Sequence, residues 1–237
     1  MGGMPPTLDF GPYDRRGYRT VDARSGYGAW AATYEQTVAE KLDIDMLEAL
    51  GAVGWADAGA VVDLACGTGR TGAWLAQRSP AAIDGVDITA EMLALARDKG
   101  VYRSLTQADV ATTGLPDGGY DLAMASLVDE HLADLHPFYA EAFRLLRPGG
   151  AFVLVGLHPQ FLMASGMPTH FDGASGEPVA IETHVHLLSE HAAAALGAGF
   201  ALAEMREQVI DDAWLEAKPK WEPQRGQPIS FALVWRR

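Results

Sequence analysis

One segment constrains the fold of this chain more than any other. Ala60-Val61-Val62-Asp63-Leu64-Ala65 is an apolar run of strand length, and it passes directly into Cys66-Gly67-Thr68-Gly69-Arg70. A short apolar run ending on closely spaced glycines reads as a buried strand that turns tightly into a helix. Glycines there let the backbone pass close to a ligand, and free N–H groups at the helix start favour a carboxylate or phosphate. The helix continues through Trp74 to Arg78, and Pro80 ends it. Gly67, Gly69 and Gly72 also satisfy the G-x-G-x-x-G pattern, so the loop alone suits a dinucleotide equally well.

The rest of the chain repeats the strand–helix alternation. Strand-like runs recur at Ile83–Ile88, Leu105–Val110, Tyr120–Leu127 and Ala151–His158. Thr89 is placed to cap the helix after the first of these, with Glu91 in its first turn, Lys99 in its last and Gly100 beyond. Alternation on this scale implies a parallel sheet with helices on both faces. Near the end, a short helix over Ser189–Leu196 precedes strand Ala201–Ile210 and a last strand, Ile229–Trp235. No long helix separates those two strands, so they are expected to be antiparallel neighbours at a sheet edge. Residues 1–25 read as a flexible arm, and residues 26–237 as one domain. Tyr34, Val38, Leu42, Met46 and Leu50 recur every four residues, which predicts a helix within a lid spanning 26–50. Stretches 159–187 and 211–228 read as insertions into the alternation.

Three carboxylates bear on the ligand of the glycine loop. Asp63 precedes Gly67 by four residues, where it can organise a cationic amino group but gains nothing from a pyrophosphate. Asp87 ends the second strand, 18 residues after Gly69, where it can accept two ribose hydroxyls in either class of ligand. Asp109 ends the third strand, in reach of an adenine amine. With these residues in view the chain resembles the class I S-adenosylmethionine-dependent methyltransferases, in their type 11 branch. The resemblance rests on Asp63–Gly69, Gly85-Val86-Asp87-Ile88, Gln107-Ala108-Asp109-Val110, Tyr120-Asp121-Leu122-Ala123-Met124 and Leu146-Arg147-Pro148-Gly149-Gly150, in order and spacing. It is strong over 25–158 and weaker beyond.

The resemblance implies an α/β, Rossmann-like three-layer sandwich whose seven-stranded, mostly parallel sheet runs 3-2-1-4-5-7-6, strand 7 antiparallel. It implies S-adenosyl-L-methionine as cofactor and S-adenosyl-L-homocysteine as product. Carried over by position, the methionine end falls near Asp63, Ala65, Gly67, Gly69 and Arg70, and the ribose on Asp87. Ile88, Met92, Asp109 and Val110 would surround the adenine, and Ser126 and Leu127 would floor the sulfonium. Tyr27 and Trp30, in Gly26-Tyr27-Gly28-Ala29-Trp30-Ala31-Ala32-Thr33-Tyr34, match the family's aromatic lid; packing on the core would explain them as well.

Methyl transfer from a sulfonium needs alignment and exclusion of water, and a base only when the attacking atom is a hydroxyl or an acidic carbon. His131 and His158 follow strands whose carboxyl ends border the transferred methyl, so each is a candidate base. A helix-start histidine explains His131 equally. Ala125-Ser126-Leu127-Val128 lacks the Asn/Asp-Pro-Pro-Tyr of amino methylases acting on DNA or glutamine, and Cys66, the only cysteine, lies in the cofactor loop. A small, fairly apolar acceptor remains. Glu182, His184 and His186 would share one strand face, yet a solvated face explains them better than a metal site, and no metal is expected.

Composition narrows the partners. With 18 basic and 31 acidic residues the net charge is −13, which repels nucleic acid and anionic lipid. Apolar runs are too short to span a bilayer, and the first 25 residues lack an apolar signal core. A single cysteine allows no internal disulfide, so a reducing cytoplasm is the expected location. Nothing in the sequence speaks to oligomeric state. Two other readings stay open: a nicotinamide-dependent oxidoreductase using the same loop, and a cofactor-binding protein without turnover. Transfer of a carboxymethyl group from the same sulfonium is a remote third.

Overall fold

The first strand of the alternation is buried along its whole length, and its neighbours form around it. The computed structural model describes residues 8–237. In chain order it contains β1 (Leu8–Asp9), β2 (Arg19–Val21), α1 (Ala23–Trp30), α2 (Tyr34–Thr37), α3 (Ile44–Ala49), β3 (Ala60–Leu64), α4 (Arg70–Ala76), β4 (Ala82–Asp87), α5 (Ala90–Asp98) and β5 (Tyr102–Gln107). There follow β6 (Tyr120–Ser126), α6 (Leu135–Leu145), β7 (Leu146–Leu157), α7 (Pro159–Ser165), β8 (His170–Asp172), β9 (Pro178–Ile181), β10 (His184–Val185), α8 (Leu188–Ala198), β11 (Ala201–Val209), α9 (Asp212–Ala217) and β12 (Pro228–Arg236).

Seven strands form the main sheet in the order β11-β12-β7-β6-β3-β4-β5. Only β12 runs antiparallel to its neighbours β7 and β11. In order of appearance this is 3-2-1-4-5-7-6, as the resemblance implies. Alternate side chains of β3 explain the two layers. Val62 and Leu64 join the core under α6 and α8, with Phe138, Tyr139, Phe152 and Trp235. Val61 joins the other core, with Leu47 of α3 and Trp74 and Leu75 of α4. Central strands buried on both faces need apolar residues throughout, which is why their sequences read as runs rather than alternations.

The N-terminal region departs from expectation. Residues 1–7 of the expected arm lie outside the described residues, but 8–25 are built into the fold. Leu8 and Asp9 pair with Val185 and His184, and Arg19–Val21 pair in parallel with Val179–Ile181. Strands β2, β9 and β8 thus make a three-stranded sheet from the N-terminal region and the insertion after β7. A short polar segment carries no strand signal of its own; partners about 160 residues away supply it.

The helix expected within 26–50 is also broken. α2 ends at Val38, which is extended (ψ 130°), and α3 restarts at its N-cap Asp43. Short turns satisfy the four-residue apolar spacing separately and bend the lid over the carboxyl ends of the strands. No helix among the described residues is long and apolar enough to cross a membrane.

Candidate cofactor and active site

The carboxyl ends of β3, β4 and β6 border a cavity of about 160 Å³ that is partly open to solvent. The backbone at its floor is strained. Ala65 and Leu127, each following a strand, have φ of 56°, and they are the non-glycine residues of positive φ among those described. Such conformations cost about 1–3 kcal/mol each and gather at functional sites. Gly67 also has positive φ, 53°, and a Cβ added there would meet no atom within 4 Å. It would project into open cavity.

Asp87 organises this floor. Its Oδ2 accepts from Gly67 N–H at 2.9 Å and its Oδ1 from Thr89 N–H at 2.8 Å. Burial raises its pKa against those two bonds. A carboxylate has about four lone-pair sites, so each oxygen can also accept from a ligand hydroxyl. Ile88, Met92 and Val110 make the apolar side walls, and Asp109 stands at the exposed rim. Two side-chain hydroxyls of lining residues, Thr89 Oγ1 and Ser126 Oγ, are buried without a partner. Thr89 sits at the N-cap of α5 but makes no capping bond with its side chain. Among the described residues the lining holds two carboxylates and no lysine or arginine. That field suits a cationic ligand bearing hydroxyls and opposes a pyrophosphate.

The lid closes the other side. Tyr27 and Tyr34 line the cavity, along with Ala23. The lid is latched to the glycine loop: Thr68 donates to Glu35 at 2.6 Å, and Arg70 forks onto buried Asp43 at 2.9 and 2.5 Å. Val128, His131 and Leu132, after β6, complete the wall. His131 Nδ1 lies 2.7 Å from the carbonyl of Glu182. A carbonyl only accepts, so Nδ1 carries the proton, and in the neutral ring Nε2 accepts from the Tyr27 hydroxyl at 2.9 Å. Burial, then Tyr34, Glu130 and Asp87, hold the Tyr27 phenol well above its usual range, so it stays a donor. Glu130 Oε1 lies 3.7 Å from His131 Nε2. Burial raises the Glu130 pKa, and its Oε2 has no partner.

The structure thus brings Tyr27, Ala65, Gly67, Asp87, Ile88, Met92, Asp109, Val110, Ser126, Leu127 and His131 to one cavity. Five expected site residues lie elsewhere. Asp63 is 1% exposed behind the loop, accepting from Tyr102 Oη at 2.7 Å and Thr71 Oγ1 at 3.2 Å. Burial pushes its carboxyl up to about 7. Gly69 turns its open position toward Tyr102 and Ala96 rather than the cavity. Arg70 is held by Asp43. Trp30 stacks on Phe171 at 5.7 Å and donates to Thr37, so it packs the lid from behind.

His158 is the N-cap of α7, accepting from Gln160 N–H at 3.1 Å through Nδ1. Its Nε2 faces Glu207 at 2.8 Å, away from the cavity. Among Glu182, His184 and His186, the Nε2 of His186 is already donated to the Leu132 carbonyl at 2.6 Å. No group of three metal-type ligands is assembled among the described residues. Sequence reasoning missed the wall residues Thr89, Val128 and Leu132, and the buried carboxyl of Glu130. Glu130 could have been flagged as an acidic neighbour of His131 in a segment bordering the site.

A family model described as a methyltransferase domain matches residues 62–154. The demethylmenaquinone methyltransferase of Thermus thermophilus is 35% identical over 104 residues, 42% of this chain and 47% of that protein. The trans-aconitate 2-methyltransferase of an Azoarcus species is 38% identical over 120 residues, 50% of this chain and 43% of that protein. The chain spans about half the length of the curated relatives it matches. An S-adenosylmethionine-dependent methyltransferase from Mesorhizobium loti superimposes with a TM-score of 0.65 at 23% identity, covering 85% of this chain and 99% of its own. A DhpI–SAH complex does so at 0.61 and 21%, covering 90% and 93%. Those identities speak for the fold. Residues 62–154 match the methyltransferase domain family, and the chain has the fold of S-adenosylmethionine-dependent methyltransferases.

Proposed function

We propose that this chain transfers the methyl group of S-adenosylmethionine to an uncharged small molecule, with His131 taking the acceptor's proton. The observation that carries the reading is a single cavity with the Asp87 floor on one side and the Tyr27–His131 pair on the other. The cofactor, when bound, supplies an activated methyl on a sulfur that leaves as a neutral thioether. Asp87 accepts its ribose hydroxyls, Ile88, Met92 and Val110 hold the adenine, Asp109 accepts the adenine amine, and Gly67 admits the methionine end. Asp63 and Arg70 support this from behind, one holding α4 to β5 and the other holding the loop to the lid.

The latched lid excludes water, which strengthens every electrostatic contact inside. An acceptor hydroxyl that takes the place of the Tyr27 hydroxyl meets His131 Nε2, the ring's only acceptor nitrogen. The Glu182 carbonyl keeps that tautomer, and Glu130 favours the imidazolium that forms. An anionic acceptor would need a cation at the wall, and the lining has none among the described residues. Chain and metabolite panel incubated with S-adenosylmethionine test the proposal by mass spectrometry. One neutral metabolite should gain a single methyl while S-adenosylhomocysteine accumulates. Cofactor binding without any methylated product in the panel would favour a non-catalytic binding protein.

A further inference from the structure

Among the described residues, the hydroxyl that stands on His131 Nε2 is the protein's own. Tyr27 Oη lies 2.9 Å from that nitrogen, which is the ring's only acceptor once Nδ1 donates to the Glu182 carbonyl. The atom assigned to take an acceptor's proton is therefore already hydrogen-bonded to a phenol. Burial keeps that phenol protonated, so it serves as a donor and not as a second base. The Tyr27 ring sits in a slot made of other rings. It stacks on Trp30 at 5.8 Å and 18°, and meets Tyr34 and His131 edge-on at 5.9 and 5.3 Å. Tyr27, Tyr34 and His131 line the cavity, and Trp30 backs the slot against Phe171. Stacked and edge-to-face walls at these separations favour an aromatic occupant over an aliphatic one.

We infer that Tyr27 holds the place of the acceptor, and that the acceptor is itself an uncharged phenol. The inference rests on the methyl-transfer reading above, and adds to it the substrate class and the residue that competes for the site. When Tyr27 turns out, the space it leaves has the outline of its own side chain, p-cresol, with the hydroxyl end at His131 Nε2. Transfer then balances without another reactant. The phenol oxygen takes the methyl carbon from sulfur, which keeps the bonding pair, and the phenol proton passes to Nε2. One positive charge disappears at sulfur and one appears on the imidazolium, 3.7 Å from Glu130 Oε1. A phenol ionises at about 10, so it yields this proton more readily than an aliphatic hydroxyl does. Only chains with Tyr27 withdrawn take up the acceptor, and apparent affinity is reduced by that fraction.

Calorimetric titration with p-cresol, into wild type, Tyr27→Phe and Tyr27→Ala each saturated with S-adenosylhomocysteine, tests the competition. Failure of the wild type to take up S-adenosylhomocysteine would sink the methyl-transfer reading before any phenol is added. In loaded protein, Tyr27→Phe deletes the hydroxyl that competes for Nε2 and should bind p-cresol about 3- to 10-fold more tightly. Tyr27→Ala also empties the slot and should gain more, while toluene, which has no hydroxyl, should gain less than p-cresol. With S-adenosylmethionine instead, mass spectrometry should find 4-methylanisole, and Tyr27→Phe should raise kcat/KM for p-cresol by a similar factor. Cyclohexanol should remain unmethylated. A fall of kcat/KM in folded Tyr27→Phe overturns the proposal, because Tyr27 would then take part in the chemistry. So does the absence of p-cresol binding by Tyr27→Ala, a gain that toluene matches, or methylation of cyclohexanol as fast as p-cresol.

Discussion

Replacing each loop glycine by alanine separates two roles that the shared motif conceals. Gly67 and Gly69 both have positive φ, 53° and 82°, so each alanine carries a conformational cost of about 1–2 kcal/mol. For a domain of this size that alone lowers Tm by roughly 2–8 °C. There the two diverge. A Cβ on Gly67 meets nothing within 4 Å, so its methyl enters the space assigned to the methionine end of the cofactor. Overlap of one methyl with a fitted group costs about 1–3 kcal/mol, a fall in affinity of roughly 5- to 150-fold.

A Cβ on Gly69 stands 2.9 Å from the Tyr102 ring and 3.1 Å from Ala96 Cα, which is backbone and yields little. Gly69→Ala should thus add about 1–3 kcal/mol of overpacking to the strain, for a Tm loss of roughly 4–20 °C. Differential scanning fluorimetry and calorimetric titration with S-adenosylhomocysteine, run on both variants, read the two effects independently. Gly67→Ala is expected to bind poorly and melt roughly 2–8 °C below the wild type; Gly69→Ala is expected to melt roughly 4–20 °C below it. The reasoning is refuted if Gly67→Ala keeps full affinity while Gly69→Ala loses it without losing stability.

Three further outcomes follow from the site. His131→Ala should lower turnover by about 10²-fold or more at neutral pH with cofactor affinity barely changed, and the loss should shrink at high pH as the acceptor ionises unaided; a loss independent of pH would argue against a base. His158→Ala removes an N-cap remote from the cavity, so stability should fall by about 0.5–2 kcal/mol with turnover near wild type, and a turnover collapse in folded protein would return His158 to the site. Asp63→Asn tests the buried carboxylate without cofactor. Folding raises this group from 3.8 to about 7, so the folded chain keeps a proton that the unfolded chain has lost between those values. Asp63 therefore costs stability as pH rises through that window. Asp63→Asn should be the more stable protein at pH 8, with the advantage fading toward pH 4, and an equal difference at both pH values would contradict this reading.

The sheet was legible because its signals are local. Each central strand is an apolar run, and each hands over to a turn or helix within a few residues. Asp87 and Gly67 were legible for the same reason, lying where a strand end must face the ligand edge. Asp63, Gly69 and Arg70 occupy motif positions too, but a motif position does not say which way a side chain points. Tyr102, Ala96 and Asp43, all distant in sequence, decide that here.

Trp30 shares helical spacing with Tyr27 and Tyr34 and its ring packs on both, yet it stacks on Phe171 behind them, so only the two tyrosines line the cavity. His158 precedes Pro159, and proline at the first position of a helix would have marked that histidine as a cap. The small sheet of β2, β9 and β8 had no local signal, since its strands are short and its partners far apart.

The central claim is that the Asp87-floored cavity holds S-adenosylmethionine. Isothermal titration of the chain with S-adenosylhomocysteine, and again of Asp87→Ala, tests it most directly. The wild type should bind one equivalent per chain, and NADH should give no heat. Removing charged acceptors for two ribose hydroxyls should cost about 1.5–3 kcal/mol, roughly a 10- to 150-fold rise in Kd. Unchanged affinity in Asp87→Ala, or saturable binding of NADH in place of S-adenosylhomocysteine, would contradict the account.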